Sequence, residues 1–284
     1  MYYIGAHIKK ESGSLLNTIK IIHNANGNAL QLFVSNPRSS KSPNLDVYKQ
    51  MTDDVKEFCL KNNFKLIIHA SYTINLAKEP KIGKKTLELK DCYWIDVLLN
   101  QLVVSDLLGS AGVVVHVGKY TTNTKENGLM HMKNSISYII EQMHNLKLKT
   151  KLIIETPAGA GTELLNTVEE FAEFYNQFNT NQKQYLGICL DTAHIWSSGY
   201  DIIEYYNYLA KTNKKDIVAI HLNNSKKEQG SNVDLHETLF GEEGKINTQV
   251  LHKFLTNLKQ QPIIILETPS DNLEKDIDWV KNCI

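Results

Sequence analysis

The stretch Ile188-Cys189-Leu190-Asp191-Thr192-Ala193-His194 joins a short apolar run to a carboxylate, with an imidazole three residues further on. The run has the length of a buried strand, and a charge at its end is costly in a core unless something binds it. The same construction recurs on both sides. Residues 66–68 lead into His69, 113–115 into His116 and 152–154 into Glu155, while 218–220 lead into His221 and 263–266 into Glu267. With the strand-like segments 2–7 and 29–34, eight runs begin at 2, 29, 64, 112, 151, 186, 217 and 262. Helical periodicity fills the intervals, at 15–22, 48–60, 86–108, 132–146, 167–178, 202–209 and 248–258, with a last short helix over 273–280. Strands alternating with helices specify a parallel sheet with the helices outside. Functional groups at the ends of so many consecutive strands favour closure, because a barrel gathers all C-terminal ends at one mouth whereas an open sheet spreads them along an edge. The expected fold is a (β/α)8 TIM barrel, one domain over 1–284.

Composition fits that expectation. The 284 residues slightly exceed the roughly 250 usual for such a barrel, with 42% apolar and 22% charged residues. A formal net charge of zero argues against coating nucleic acid by bulk electrostatics, but not against an enzyme whose positive charge is local or carried by bound cations. Positive charge is almost all lysine, with Arg38 the single arginine. Cys59, Cys92, Cys189 and Cys283 are widely spaced, which gives neither a zinc ribbon nor a disulfide framework. No signal peptide and no bilayer-length apolar segment is visible, so a reducing intracellular compartment, cytoplasm or nucleus, is expected.

The candidate metal ligands are His69, His116, Glu155, Asp191, His194, His221, Asp234, His236 and Glu267. Nitrogen and carboxylate oxygen in the absence of thiolate pairs suit zinc, at about four ligands per ion. Nine ligands exceed the need of one ion, and a carboxylate such as Glu155 can bridge two, so a cluster is expected. Asp234 and His236 are two apart, which sends both side chains to the same side of an extended loop. His23, His131, His144 and His252 fall in helical segments and read as surface or structural residues. His7 closes the first strand as a substrate-contact candidate. Three polar connections, 35–44, 71–85 and 223–243, leave the ligand-bearing end of the barrel, where loops usually hold substrate.

Several segments resemble the endonuclease IV family of apurinic/apyrimidinic endonucleases (AP endonuclease family 2). They are Gly-Ala-His at 5–7, His-Ala-Ser-Tyr-Thr-Ile-Asn-Leu at 69–76, Glu-Thr-Pro-Ala-Gly-Ala-Gly at 155–161, Asp-Thr-Ala-His at 191–194, His-Leu-Asn-Asn-Ser-Lys at 221–226 and Asp-Leu-His at 234–236. The resemblance spans nearly the whole chain and implies a TIM barrel with three Zn2+ ions, Mn2+ being an option at some sites. It implies one metal on His69, His116 and Glu155, a second on Glu155, Asp191, His221 and Glu267, and a third on His194, Asp234 and His236. The implied reaction is hydrolysis of the phosphodiester 5′ to an abasic site in double-stranded DNA, leaving 3′-hydroxyl and 5′-deoxyribose phosphate ends, with removal of 3′-blocking groups. Glu155, Asp191 and Glu267 are the expected catalytic carboxylates. Arg38 and Tyr72 match positions that the family inserts into DNA, and Asn36, Ser39, Lys119 and Lys226 are candidate backbone contacts. A monomer is expected. The competing reading is a metal-dependent sugar isomerase or epimerase on a related barrel, which needs one or two metals and leaves Asp234 and His236 without a purpose.

Overall fold

A computed structural model describes residues 2–11, 14–268 and 273–284. Eight parallel strands close into a barrel: β1 (Tyr3–His7), β2 (Ala29–Leu32), β3 (Lys65–His69), β4 (Gly112–Val115), β5 (Lys151–Glu155), β6 (Leu186–Asp191), β7 (Ile217–His221) and β8 (Ile263–Leu266). Each pairs with its sequence neighbours, and β1 pairs with both β2 and β8 to close the ring. The seam is tight. A Cβ on Gly5 would lie 1.6 Å from the Ala29 carbonyl oxygen, so only glycine lets β1 and β2 approach this closely.

Strand periodicity sorts the side chains into two cores. Ala29, Ile67, Val114, Ile153, Cys189, Ala219 and Ile265 point inward and fill the barrel, while the alternate residues Leu30, Ile68, Val113, Ile154, Leu190 and Ile220 pack outward against the helices. The helices are cut to length by their caps. Ser14, Thr124, Thr167 and Asp201 each accept a hydrogen bond from a first-turn N–H, satisfying donors that a helix leaves unpaired.

Most expected helices shift by a few residues at their ends, and two begin seven residues from the expected start. The segment expected to be helical from residue 86 folds first as a small hairpin, Lys81–Ile82 against Lys85–Thr86, then as a short turn, and enters a regular helix only at Tyr93–Leu108. Leu87 N–H is tied back to the Pro80 carbonyl, and that bond holds the chain out of helical geometry. The helix expected over 132–146 starts earlier, at Lys125, because Thr124 caps it there. The 223–243 connection also acquires order, with Asn224–Ser225 pairing antiparallel to His236–Glu237.

Candidate metal centre

Two residues beyond the inward-facing barrel core lies the next inward-facing layer, and that layer carries the chemistry. Ile67 is followed by His69, Val114 by His116, Ile153 by Glu155, Cys189 by Asp191, Ala219 by His221 and Ile265 by Glu267. The same step takes Gly5 to His7 and Ala29 to Gln31. Period two therefore places one polar side chain from each of the eight strands at the mouth. The ring surrounds a cavity of about 530 Å³, lined among others by His7, His69, His116, His194, His236 and Glu267.

Glu155, 1% exposed, occupies the centre. Its Oε2 faces His116 Nε2 at 3.2 Å and His69 Nε2 at 3.6 Å. Its Oε1 faces His221 Nδ1 at 2.7 Å and His194 Nδ1 at 3.8 Å. One oxygen thus belongs to the His69–His116 side and the other to a group formed with Asp191, His221 and Glu267. In the latter, His221 Nδ1 lies 3.1 Å from Glu267 Oε2 and 3.8 Å from Asp191 Oδ2. A third convergence joins Asp191, His194 and His236. Asp234 reaches it from the loop, 3.3 Å from His194 Nε2 and 3.1 Å from His236 Nε2. All nine sequence candidates meet at this mouth.

The donor atoms are prepared for cations. His69 Nδ1 lies 2.9 Å from the Ala70 carbonyl and His194 Nδ1 lies 2.8 Å from the Thr156 carbonyl. A carbonyl only accepts, so each Nδ1 holds a proton and each Nε2 is the nitrogen left facing the mouth, free to bind a cation once it is deprotonated. Glu155 Oε2, His194 Nε2 and His236 Nε2 are buried without a well-formed hydrogen bond, although oppositely charged groups stand 3.1 to 3.3 Å away. Three such atoms facing one cavity fit a cation site. Asp191 is similarly divided. One oxygen caps the helix Thr192–Ser197 through His194 N–H at 2.8 Å, and the other faces the site, steadied by Asn223 Nδ2 at 2.6 Å.

The electrostatics carry the same message. Burial drives the Glu155 and Glu267 carboxyls upward, yet His221 and neighbouring imidazoles hold both well below the usual range. Burial lowers the histidines, but at His194 Asp191 and the other carboxylates outweigh it, and at His221 Cys189, Glu267 and Glu155 do, raising both well above the ordinary value, and His236 is pushed up to about 9. His116 and His7 are lowered, burial being the main cause. Four carboxylates crowd a largely buried volume, so the centre draws protons in competition with any cation it is offered.

Above the centre, the loops after β2 and β3 are laced together. Tyr72 N–H donates to the Pro37 carbonyl at 2.8 Å, and Thr73 Oγ1 to the Ser39 carbonyl at 3.2 Å. Tyr72 is 58% exposed and stands edge-on to Phe33 and His69. Arg38 is exposed in the adjoining turn, which Asn36 shapes by accepting from Arg38 N–H. Lys119 lines the cavity and pairs with the buried Glu163 at 3.3 Å.

Lys226 has a different setting. Its Nζ lies 3.3 Å from Glu237 and 2.9 Å from Glu243, so its charge is already matched within the protein. The salt slope of DNA binding is therefore expected to fall by about one for Arg38→Ala and to stay nearly unchanged for Lys226→Ala. Equal slopes for the two variants would overturn this division.

Sequence reasoning passed over Gln31, Phe33 and Asn223. Gln31 had a visible signal, a lone amide in the apolar run Ala29-Leu30-Gln31-Leu32. Phe33 and Asn223 had none, since an aromatic residue and an asparagine are ordinary at strand ends.

The barrel and its ring of ligands define the class. Residues 19–283 match the family described as a xylose isomerase-like TIM barrel, and the chain belongs to it. Within that class it belongs to the endonuclease IV family, being 30% identical over 287 aligned residues to a probable endonuclease 4 of Mycoplasma mobile, with 98% of this chain and 92% of that protein covered. Among solved structures, endonuclease IV from Thermus thermophilus superimposes with a TM-score of 0.74 at 23% identity, covering 99% of this chain and 98% of that one. A D-tagatose 3-epimerase-like protein superimposes with a TM-score of 0.72 at 18% identity, covering 100% of this chain and 97% of that one, which is a likeness of fold.

Proposed function

We propose that this chain is a zinc-dependent AP endonuclease of base excision repair, cutting double-stranded DNA 5′ to an abasic site and leaving 3′-hydroxyl and 5′-deoxyribose phosphate ends. Membership of the endonuclease IV family supports a DNA-cleaving hydrolase. The observation that carries the finer reading is the convergence on Glu155 of one group with His69 and His116 and another with Asp191, His221 and Glu267, the Cys189 thiol also lying beside Glu155 and His221, with Asp191, His194 and His236 forming a further group. Three ions fit these groups: one on His69, His116 and Glu155, one on Glu155, Asp191, His221 and Glu267, and one on His194, Asp234 and His236. Zinc suits the imidazole-rich groups, while the carboxylate-rich middle group also admits Mn2+.

Bound there, the ions supply Lewis acidity toward the phosphodiester and toward water. Three divalent ions against four carboxylates leave a formal surplus of two positive charges, which suits an anionic phosphodiester. Glu267 lies at the cavity wall with one oxygen held by Gln31 and the other turned toward the centre, where it can orient the attacking water. Asp191 and Glu155 complete the same group of ligand atoms. Arg38 and Tyr72 would enter the gap left by the missing base, where unstacking costs less than at an intact step. Asn36, Ser39 and Lys119 would contact the backbone, and His7 the sugar-phosphate nearest Glu267.

The free cysteines suit a reducing compartment, cytoplasm or nucleus, and we read the chain as one domain acting as a monomer. Among the described residues no helix is long and apolar enough to cross a membrane. The isomerase reading ranks second because it gives the Asp234–His236–His194 group nothing to do.

The deciding experiment is incision of a duplex carrying one abasic-site analogue, in buffer containing EDTA. A single cut 5′ to the lesion with a 3′-hydroxyl is expected, since ions on this many protein ligands survive brief chelation. No cut with EDTA and none after added zinc or manganese would reject the nuclease reading in favour of the isomerase.

A further inference from the structure

The eight-strand ring contains one member that is neither acid nor imidazole. Gln31 comes from β2, is fully buried, and spends its whole amide on the metal centre. Its Oε1 lies 2.9 Å from His221 Nε2. Its Nε2 donates to Glu267 Oε1 and lies 3.0 Å from His7 Nδ1. The orientation of the amide follows from chemistry. The opposite placement would set a carbonyl oxygen against the Glu267 carboxylate, whereas an N–H2 group donates to it, and His7 Nδ1 itself lies 3.3 Å from the same Glu267 oxygen.

Two consequences reach the middle group of ligands. Because Gln31 Oε1 can only accept, it keeps the His221 proton on Nε2 and leaves Nδ1 facing Glu155 and Glu267 at 2.7 and 3.1 Å. Because the amide nitrogen engages Glu267 Oε1, the other oxygen, Oε2, is the one turned to His221 Nδ1. We infer that Gln31 is the positioning residue of the middle metal group, selecting the His221 tautomer and the Glu267 rotamer with a single amide. This rests on the metal reading above and extends it to a residue outside the nine ligands. A ligating histidine is normally fixed through its second nitrogen by a carbonyl or carboxylate. Here a carboxylate would add a fifth negative charge to the centre, beside Glu155, Asp191, Asp234 and Glu267, and a side-chain amide provides the acceptor without it.

The test is Gln31→Met, which keeps the length and removes the hydrogen bonds. Purified wild-type and variant chains are loaded with zinc and titrated with a chromophoric chelator, and the metal-free forms are melted in parallel. The expected result is one zinc per chain bound roughly 10- to 100-fold more weakly in the variant, the remaining ions unchanged, and a smaller loss of melting temperature between the two metal-free chains than between the two loaded ones. Unchanged affinity for every ion would overturn the inference, as would a metal-free chain destabilised as much as the loaded one. A wild-type chain that takes up no ion at the middle group would instead reject the metal reading, and this inference with it. A measurement independent of the variant's folding is the long-range ¹H–¹⁵N spectrum of the zinc-loaded wild type. His221 is expected as the Nε2–H tautomer, and an Nδ1–H signal would overturn the assignment.

Discussion

Replacing Glu155 by glutamine is expected to lower kcat for abasic-site incision on the order of 10³-fold or more, and to strip the chain of more than one metal ion. The change is nearly isosteric and leaves the barrel packing alone. Its effect lies in the position of the side chain, whose two oxygens serve different groups of histidines. An amide keeps one acceptor and aims an N–H2 group at lone pairs that the structure has reserved for cations. It also removes one of the four negative charges that hold the ions together. Metal analysis and single-turnover kinetics on the same preparation separate the two losses. A variant with full metal content and activity within about tenfold of wild type would remove Glu155 from the bridging role.

Stripping the metals is expected to lower Tm by roughly 10 °C for each ion present at a thousandfold excess over its Kd, since such binding stabilises the folded chain by about 4 kcal/mol. The pH dependence has a definite sign. In the metal-free chain His194, His221 and His236 are raised, the last to about 9. A raised histidine stabilises the fold fully below its unfolded value near 6.5 and loses that contribution as pH climbs through the folded value. Glu155, Glu267 and Asp234 are depressed. Their contribution is present above the unfolded carboxylate range and disappears only in acid. The metal-free protein therefore weakens between about pH 6.5 and 9. The loaded protein stays nearly level over the same window, because its imidazoles hold ions in place of protons and the unfolded histidines are already neutral. Melting curves of both forms at about pH 6, 7.5 and 9 should show a gap that widens with pH. A constant or narrowing gap would mean that these histidines are not the shared binding atoms.

The two experiments address different properties of one centre. The first concerns how a single carboxylate joins separate groups, and the second concerns the charge that the whole ring carries. Together with the Gln31 variant they distinguish loss of an ion, loss of its orientation and loss of the fold.

The barrel and most of its ring are legible in the sequence because strand periodicity and burial leave few alternatives. An apolar run ending in His69, Glu155 or Asp191 has to bring that group to the strand end, and eight such runs separated by helices have few ways to pack. The period-two step from Val114 to His116, or from Ala219 to His221, is a local rule that survives folding unchanged. Other features depend on contacts between distant segments. Thr86 and its neighbours have helical spacing, but the Leu87–Pro80 hydrogen bond turns them into a hairpin. Lys226 has the composition of a phosphate contact, and only the return of the chain sets Glu237 and Glu243 beside it. Asp234 and His236 are legible as a pair, whereas their meeting with His194 is decided by how the long loop after β7 folds over the mouth. The lone amide of Gln31 stands out in an apolar run, but its role is hidden, since the amide acquires meaning only when β1, β7 and β8 bring His7, His221 and Glu267 to within hydrogen-bonding reach. By itself, the sequence determined which side chains line the mouth, because alternation along a strand is a property of the local backbone. Only the tertiary structure decided which of them share a proton, a charge or an ion, because those pairings are set by distances between segments far apart in the chain.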